Sequence, residues 1–448
     1  MKKVLVIVTC MALSLNLFGC SSNEVNTTKK DIENNKKEIT IAVRKSNIYP
    51  PGLEMYRFPF GFENDVKVNL EEIKASTHEE YLKKLNTKLY LEDGPTLILI
   101  DEEETYDKYV NQGVALEVGD KIPNIDKLYD GFKKEKMYYV PIVMDYTPIE
   151  IHREALEQLE IKEPKLDWTK EDYIKIKEKW FKKQPRIFSL REYLDTVKYP
   201  FKNIKIFNND MTDVKINTDE IKNYVKDAKN KIFSGRYALK KEHKYYKYAE
   251  YDNWKDEGVM ELVKFNDSNK IGELDDRLLI SNWGDSGLKF RESFGRTQEN
   301  IVKLPEVMRN EYQIRTWGLI VNRNGKNTDL GFKFINGLLE DEHQINIYKN
   351  QVMDDFPVNK DIEGDIDKLA KEKGIKDKFI NLRKYILNKF NKGEYKLYKS
   401  QGSKKIEFYD MLEKDLAKII FDKREYTDKE LNDKLQKLEN KYNMWITE

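Results

Sequence analysis

Cysteine is nearly absent: two occur in 448 residues, at Cys10 and Cys20, and none follows. The chain beyond residue 20 therefore has no disulfide, no Cys-ligated zinc and no cysteine nucleophile. A body of this length can be stabilised by its hydrophobic core without such cross-links. Histidine is sparse as well. The four present are His78, His152, His243 and His343. No two stand at i,i+4, so no H-E-x-x-H zinc pattern exists, and G-x-S-x-G and P-loop patterns are missing too. No apolar run after the first twenty residues approaches the roughly 20 that a transmembrane helix needs. Net charge is also small, because 80 Lys+Arg against 79 Asp+Glu leave +1. Phosphate backbones are bound by a net basic face, so nucleic acid is not expected as the main partner. These patterns call for no cofactor and no metal. Acidic pairs such as Asp275-Asp276 and Asp354-Asp355 read as solvated faces in a chain that is 35% charged.

What is present begins at the N-terminus. Lys2 and Lys3 precede an apolar run from Val4 to Leu17, the charged and hydrophobic regions of a secretory signal. The run ends on Leu17-Phe18-Gly19-Cys20, followed by Ser21-Ser22. This resembles the lipobox of bacterial lipoproteins, with an aliphatic residue three before the cysteine and a small one just before it; Phe18 is bulkier than usual at its position. The resemblance implies that residues 1–19 are removed. Cys20 then carries diacylglycerol and holds the protein on the extracytoplasmic face of the cell membrane. The alternative is a plain secretory signal with an incidental cysteine. Each buried acyl CH₂ contributes about 0.8 kcal/mol, and two chains anchor stably where one does not. Residues 20–37 then form the lipidated cysteine and a polar tether. Its roughly 17 residues reach about 55 Å at ~3.3 Å each.

Folded structure is predicted from Glu38. Glu38 to Arg44 and Val66 to Leu70 read as strands. Thr77-His78-Glu79-Glu80 has the capping-box spacing, and Leu82, Leu85 and Leu89 with Tyr81 follow at helical period. Thr96 to Ile100 is a continuous apolar run, as expected of a parallel strand covered on both faces. A short helix is expected over Tyr106 to Asn111, stopping at Gly113. Tyr138 to Asp145 is extended, and Pro141 demotes it to an edge or a crossover. Asn217…Glu220 is expected to cap a helix with Ile221, Tyr224, Val225, Ala228 and Ile232 on one face. After Ile362 the chain reads as almost wholly helical. Thr427…Glu430 caps the last helix, whose stripe of Leu431, Leu435, Leu438 and Tyr442 reads as core packing.

Three stretches together resemble extracellular solute-binding proteins of the sugar-binding type. The first is Glu80-Tyr81 through Lys84-Leu85-Asn86-Thr87 to Gly94-Pro95-Thr96-Leu97-Ile98, where Thr96 replaces the usual Asp. The second is Tyr139-Val140-Pro141, then Ile151-His152-Arg153, then Pro164 and Asp167-Trp168-Thr169, where His152 stands in place of a common Asn. The third runs from Trp317-Gly318-Leu319-Ile320-Val321 through Gly331-Phe332-Lys333-Phe334-Ile335 to Phe356-Pro357-Val358-Asn359-Lys360. The resemblance spans Glu38 to the end of the chain. It implies an α/β fold of the two-lobe type II periplasmic-binding-protein kind, with a helical C-terminal region. Lobe one would hold 38–143 and 312–361; lobe two would hold 144–311 and 362–448. The family presents a small molecule, here expected to be a sugar, to the permease subunits of an ABC importer. Other expectations left open are a ligand sensor for a membrane receptor and a cell-envelope glycan or peptide hydrolase.

A sugar cleft needs aromatic faces for pyranose C–H surfaces and charged groups for hydroxyls. Trp283, within Ser281-Asn282-Trp283-Gly284-Asp285, is the expected stacking residue, since it resembles the family's cleft tryptophan. Arg44 and Ser46 follow the first strand, and Asp101 follows the apolar one. Asp145 and Tyr146 sit at the lobe crossover. Ligands of open α/β sheets lie at the carboxyl ends of strands, which makes all of these candidates. Trp168 and Trp317 read as packing. No catalytic residue is expected.

Overall fold

The computed structural model describes residues 37–44, 51–75, 78–91, 93–100, 106–146, 148–183, 204–208, 212–233, 280–281, 298–307, 313–350, 356–398, 403–422 and 424–447. In chain order its strands are β1 (Lys37–Arg44), β2 (Val66–Ile73), β3 (Leu97–Ile100), β4 (Val140–Asp145), β5 (Ile149–His152), β6 (Ile280–Ser281), β7 (Ile301–Leu304), β8 (Gln313–Val321) and β9 (Lys396–Leu397). The first six helices are α1 (Pro51–Asn64), α2 (His78–Leu89), α3 (Asp107–Asn111), α4 (Arg153–Gln158), α5 (Lys170–Lys183) and α6 (Asp219–Phe233). The remainder are α7 (Thr328–Leu338), α8 (Asp341–Lys349), α9 (Glu363–Glu372), α10 (Asp377–Asn391), α11 (Ser403–Ile420) and α12 (Asp428–Thr447).

The main sheet runs β2-β1-β3-β8-β4, with β9 beside β8. Strand β3 lies parallel to β1, with Ile41 opposite Leu97. The sequence Leu97-Ile98-Leu99-Ile100 is buried throughout, because the sheet carries helices on both faces. Leu97 and Leu99 join a core with Leu53 and Phe60 of α1 and Phe334, Ile335 and Leu338 of α7. Ile98 and Ile100 face the other way, onto Tyr81, Leu85 and Leu89 of α2 and Tyr109 of α3. Gly113 ends the turn after α3 with φ of 69°, a conformation glycine adopts without strain.

Strand β8 enters antiparallel between β3 and β4. Pro141 lies opposite Gly318, and the register shifts between Pro141 and Val143. A proline is tolerated there because β4 ends the strand order. Its outer backbone is covered by side chain and loop. Gln344 donates to the Ile142 carbonyl at 3.1 Å, and Met144 exchanges two backbone hydrogen bonds with Phe356 at 2.9 and 2.6 Å.

Thr96 now has a role. It is buried, its Oγ1 accepts from Thr40 N at 3.2 Å and donates to the Lys326 carbonyl at 2.8 Å. An aspartate would bring a charge to this dry position, whereas the hydroxyl joins β1 to the turn before α7.

The second sheet is β6-β5-β7, antiparallel throughout. One face packs Ile149, Ile151, Val302 and Leu304 against Leu156 of α4, Trp168, and Tyr173, Ile176 and Trp180 of α5. Thr169 and Asp172 form the capping box of α5, with Asp172 N to Thr169 Oγ1 at 3.2 Å. A further core joins α6 to α11 and α12 through Ile221, Val225, Phe408, Leu412, Leu435 and Tyr442. The expected box at Thr427 and Glu430 closes in both directions, at 2.9 and 3.3 Å. At α6 the cap is Thr218, whose Oγ1 accepts from Ile221 N at 3.3 Å, and not Asn217. Asn217 is diverted, because its own N–H donates to Glu439 and its amide to Gln436.

The helices after Ile362 divide between two cores. Ile366 of α9 and Phe379, Ile380, Ile386 and Phe390 of α10 pack in the core beneath β1, β3 and β8, with Phe390 edge-on to Phe132 at 4.7 Å. Helices α11 and α12 pack with α6. Amphipathicity alone did not distinguish these destinations.

Two predictions follow from this packing. Thr96→Val removes two hydrogen bonds at constant volume and should cost about 1–3 kcal/mol in denaturant unfolding, with an unchanged m-value. His343 lies against Tyr56 with ring centroids 4.6 Å apart and its Nε2 3.1 Å from the Gly52 carbonyl. Burial lowers its pKa from 6.5 to about 4. The unfolded chain binds that proton more readily, so the contribution is fully present above pH 6.5 and is lost as pH falls toward about 4. The loss approaches about 3 kcal/mol, and His343→Leu should flatten that part of a stability–pH profile.

Candidate functional site

The carboxyl edge of the main sheet carries two of the candidate residues, Arg44 and Asp145. Because β1 and β3 are parallel and β8 is antiparallel to both β3 and β4, strands β1, β3 and β4 all end at this edge. Arg44 closes β1, half-buried. Asp145 closes β4 opposite Arg315, which lies near the start of β8. Gly318 is level with Ile100 at the end of β3, so Arg315 stands three residues, about 10 Å, further out. The β4–β8 ribbon therefore projects beyond the sheet toward the β5–β7 ribbon.

Asp145 and Arg315 form an ion pair, with side chains 22% and 35% exposed. A carboxylate and a guanidinium at a half-open sheet edge present both acceptor and donor groups to a ligand. Arg315 was not singled out from sequence. Its signal is the antiparallel register, which sequence alone does not supply.

Tyr146 is placed differently from the expectation. It is 5% exposed, stacks on Phe356 at 5.4 Å with planes 10° apart, and belongs to the first core. Its hydroxyl is buried without a hydrogen-bond partner, and burial raises its pKa. The ring therefore packs at the crossover rather than lining an open cleft. Cys20, Ser46, Asp101 and Trp283 lie outside the described residues. Trp168 is a packing residue as read, donating from Nε1 to the Pro305 carbonyl at 2.8 Å, and Trp317 packs against the first core.

Beyond the crossover, Glu150 of β5 stands directly opposite Lys303 of β7. Their side chains, 3% and 1% exposed, meet at 3.1 Å. Ile149 and Ile151 occupy the opposite sheet face, so this pair lies on the face covered by α10. There the Lys303 ammonium is 5.7 Å from the Phe379 ring centre, and Lys378 Nζ donates to the Ile301 carbonyl at 2.8 Å. Gln298 adds two bonds to the α9–α10 turn, to Gly374 and Lys376. Further along α10, Arg383 pairs with Asp367, and the charges of Arg383 and Glu363 act on Tyr129. Burial raises the pKa of Tyr129. Helix α10 thus fastens the second sheet to the first core. Among the described residues no three His, Cys, Asp or Glu side chains gather as a metal site, and no helix is long and apolar enough to cross a membrane.

Solved structures share this architecture. The sugar-binding protein MalE from Xanthomonas citri is similar at a TM-score of 0.56 and 11% identity, over 92% of this chain and 98% of that one. The bacterial solute receptor AcbH, described as preferring β-D-galactopyranose exclusively, gives 0.55 at 11% identity over 93% and 99%. The GacH receptor of Streptomyces glaucescens, solved unliganded and with acarbose, gives 0.51 at 12% identity over 92% and 99%. No protein-family profile and no curated protein matches the sequence. The fold is accordingly α/β, of the two-lobe periplasmic-binding-protein type.

The buried pair supplies a test of the crossover. Lys303→Met alone strands the Glu150 carboxylate and should destabilise by about 3–5 kcal/mol. Adding Glu150→Leu should recover most of that loss in equilibrium unfolding. Additive losses would show that the pairing contributes nothing.

Proposed function

We propose that the protein is a lipid-anchored, extracytoplasmic solute-binding protein that takes a carbohydrate and delivers it to an ABC importer. The observation that carries this reading is the sheet edge at which Arg44 and the Asp145–Arg315 pair stand beside two chain crossings. Ligands of open α/β sheets are held at this edge. The carbohydrate class is supported by the sugars named for MalE, AcbH and GacH. Lobe one comprises 38–143 and 312–361 together with α9 and α10, which share its core; lobe two comprises 144–311 with α11 and α12. The crossings at Asp145–Ile149 and Leu304–Gln313 act as the hinge, and closure couples ligand to shape.

In the site, Arg44, Ser46, Asp101, Asp145 and Arg315 exchange hydrogen bonds with sugar hydroxyls, and Trp283 stacks on a pyranose face. Tyr146 supports the crossover from within the core. The role is binding without turnover. Cys20 carries the lipid, and the permease subunits meet a protein confined to the membrane surface.

Two measurements check this. Saturating sugar at 100 Kd should raise stability by about 2.7 kcal/mol, read as a thermal shift. If peptides, amino acids or metal ions shift the transition and no mono- or oligosaccharide does, the carbohydrate reading is wrong. With the sugar identified, Trp283→Ala should weaken binding about tenfold or more, as expected of an aromatic anchor. Trp168→Phe should leave affinity unchanged, because that ring faces Pro305 and Tyr173.

A further inference from the structure

We infer that the outer face of α1 rests on the lipid bilayer surface. The inference depends on lipid attachment at Cys20, as proposed above. The inner face of α1 buries Leu53 and Phe60, and Tyr56 packs on Phe334 at 5.3 Å. The outer face carries Met55, Phe58, Pro59 and Phe62, at i, i+3, i+4 and i+7, one apolar stripe. Met55 is 37% exposed, Phe58 66% and Phe62 91%. Scattered apolar side chains on a surface are ordinary, but a contiguous stripe of this kind marks a contact. Among the described residues the other large exposed apolar side chains are Tyr90, Leu91, Ile174 and Met444, and they form no comparable stripe along one helix.

The stripe is flanked by Glu54 on one side and Glu63 on the other, and Arg57 neutralises the first of them. Arg57 extends its guanidinium over the Phe58 ring at 4.2 Å and pairs with Glu54 at 2.9 Å.

The position of the stripe selects the bilayer as its occupant. The last turn of α1 leads through Asp65 into β2, and Gly61 lies so close to Val66 that a Cβ there would come within 2.7 Å of the Val66 carbonyl. Asn69, three residues along β2, donates to Glu38 Oε2 at 3.2 Å. That spacing is about 10 Å of strand. The Phe62 end of α1 is therefore near the corner where the chain from Cys20 joins the fold. The roughly 17 residues between Cys20 and Glu38 span at most about 55 Å, so lipid is always within reach. The stripe lies on a helix face and not at the carboxyl edge of the sheet, so docking leaves the proposed ligand edge uncovered.

The lipidated full chain offers a direct test, since Cys20 sulfur is a thioether and no other cysteine remains in the mature protein. Met55→Cys is labelled with a polarity-sensitive dye on vesicles of phosphatidylglycerol and phosphatidylethanolamine. We expect blue-shifted emission and loss of quenching by aqueous iodide. A dye at exposed Lys437→Cys should stay quenchable. Adding F58S and F62S to the Met55→Cys chain should abolish the shift while thermal unfolding and flotation with vesicles are retained. A water-exposed dye at position 55 on a floating chain overturns the inference. So does protection that rises with protein density or needs added permease, because the face then belongs to a second copy or to the importer. A chain that does not float and takes dye at Cys20 overturns lipid attachment and the docking together, and is recognisable as that failure.

Discussion

The return of β8 between β3 and β4 is the constraint on which the rest depends. An antiparallel strand in that slot requires the chain to leave the first sheet after β4 and come back before β8, so it passes between the sheets twice. The slot is narrow. A Cβ on Gly318 would lie 2.4 Å from both the Tyr139 ring and the Val140 carbonyl, and glycine alone fits. Tyr139 is itself fixed by stacking on Tyr106 at 4.9 Å and by donating to Thr316 Oγ1 at 2.8 Å. With β8 in place, Arg315 meets Asp145 and the ends of β1, β3 and β4 share one edge.

Buried polar side chains hold that return in register. Asn322 donates to the Pro95 carbonyl at 2.9 Å, and Thr96 joins β1 to the turn before α7. Gln344 spans Ile142, Leu338 and Val358. Asn359 reaches Leu339 and Asp341. Each satisfies backbone groups that would otherwise be buried without partners, at a cost of about 1–3 kcal/mol apiece. Helix α10 extends the same logic across the crossings, with Phe379 and Lys378 on the second sheet and Arg383 on the first core. Any relative motion of the two sheets would have to break or carry along that brace.

Local features were readable where the physics is local. Two-faced burial of β3 follows from its unbroken apolar run, and the edge position of β4 from Pro141. The box at Thr427–Glu430 lies within one turn of chain. At α6 the local reading slipped by one residue, because Glu439, more than two hundred residues away, captured the Asn217 N–H. Tyr146 was read as a cleft residue from its place at the crossover, yet stacking on Phe356 turned it inward. Arg315, Glu150–Lys303 and Arg383 went unremarked, since charged residues are common here and nothing local separates a buried pair from a solvated one.

The sequence by itself determined that cysteine chemistry is absent after residue 20, that the body is α/β, and where β1 to β4 and helices α2, α3, α6 and α12 lie. Those properties depend on composition, hydrophobic period and capping groups a few residues apart. Only the tertiary structure decided which core α9 and α10 join, which carboxylate meets Arg315, and which apolar stripe of α1 stays outside. These depend on register between distant strands and on which of two similar faces finds a partner first buried. Sequence period cannot encode that choice, because both faces of an amphipathic helix are defined locally while burial is assigned by the whole fold.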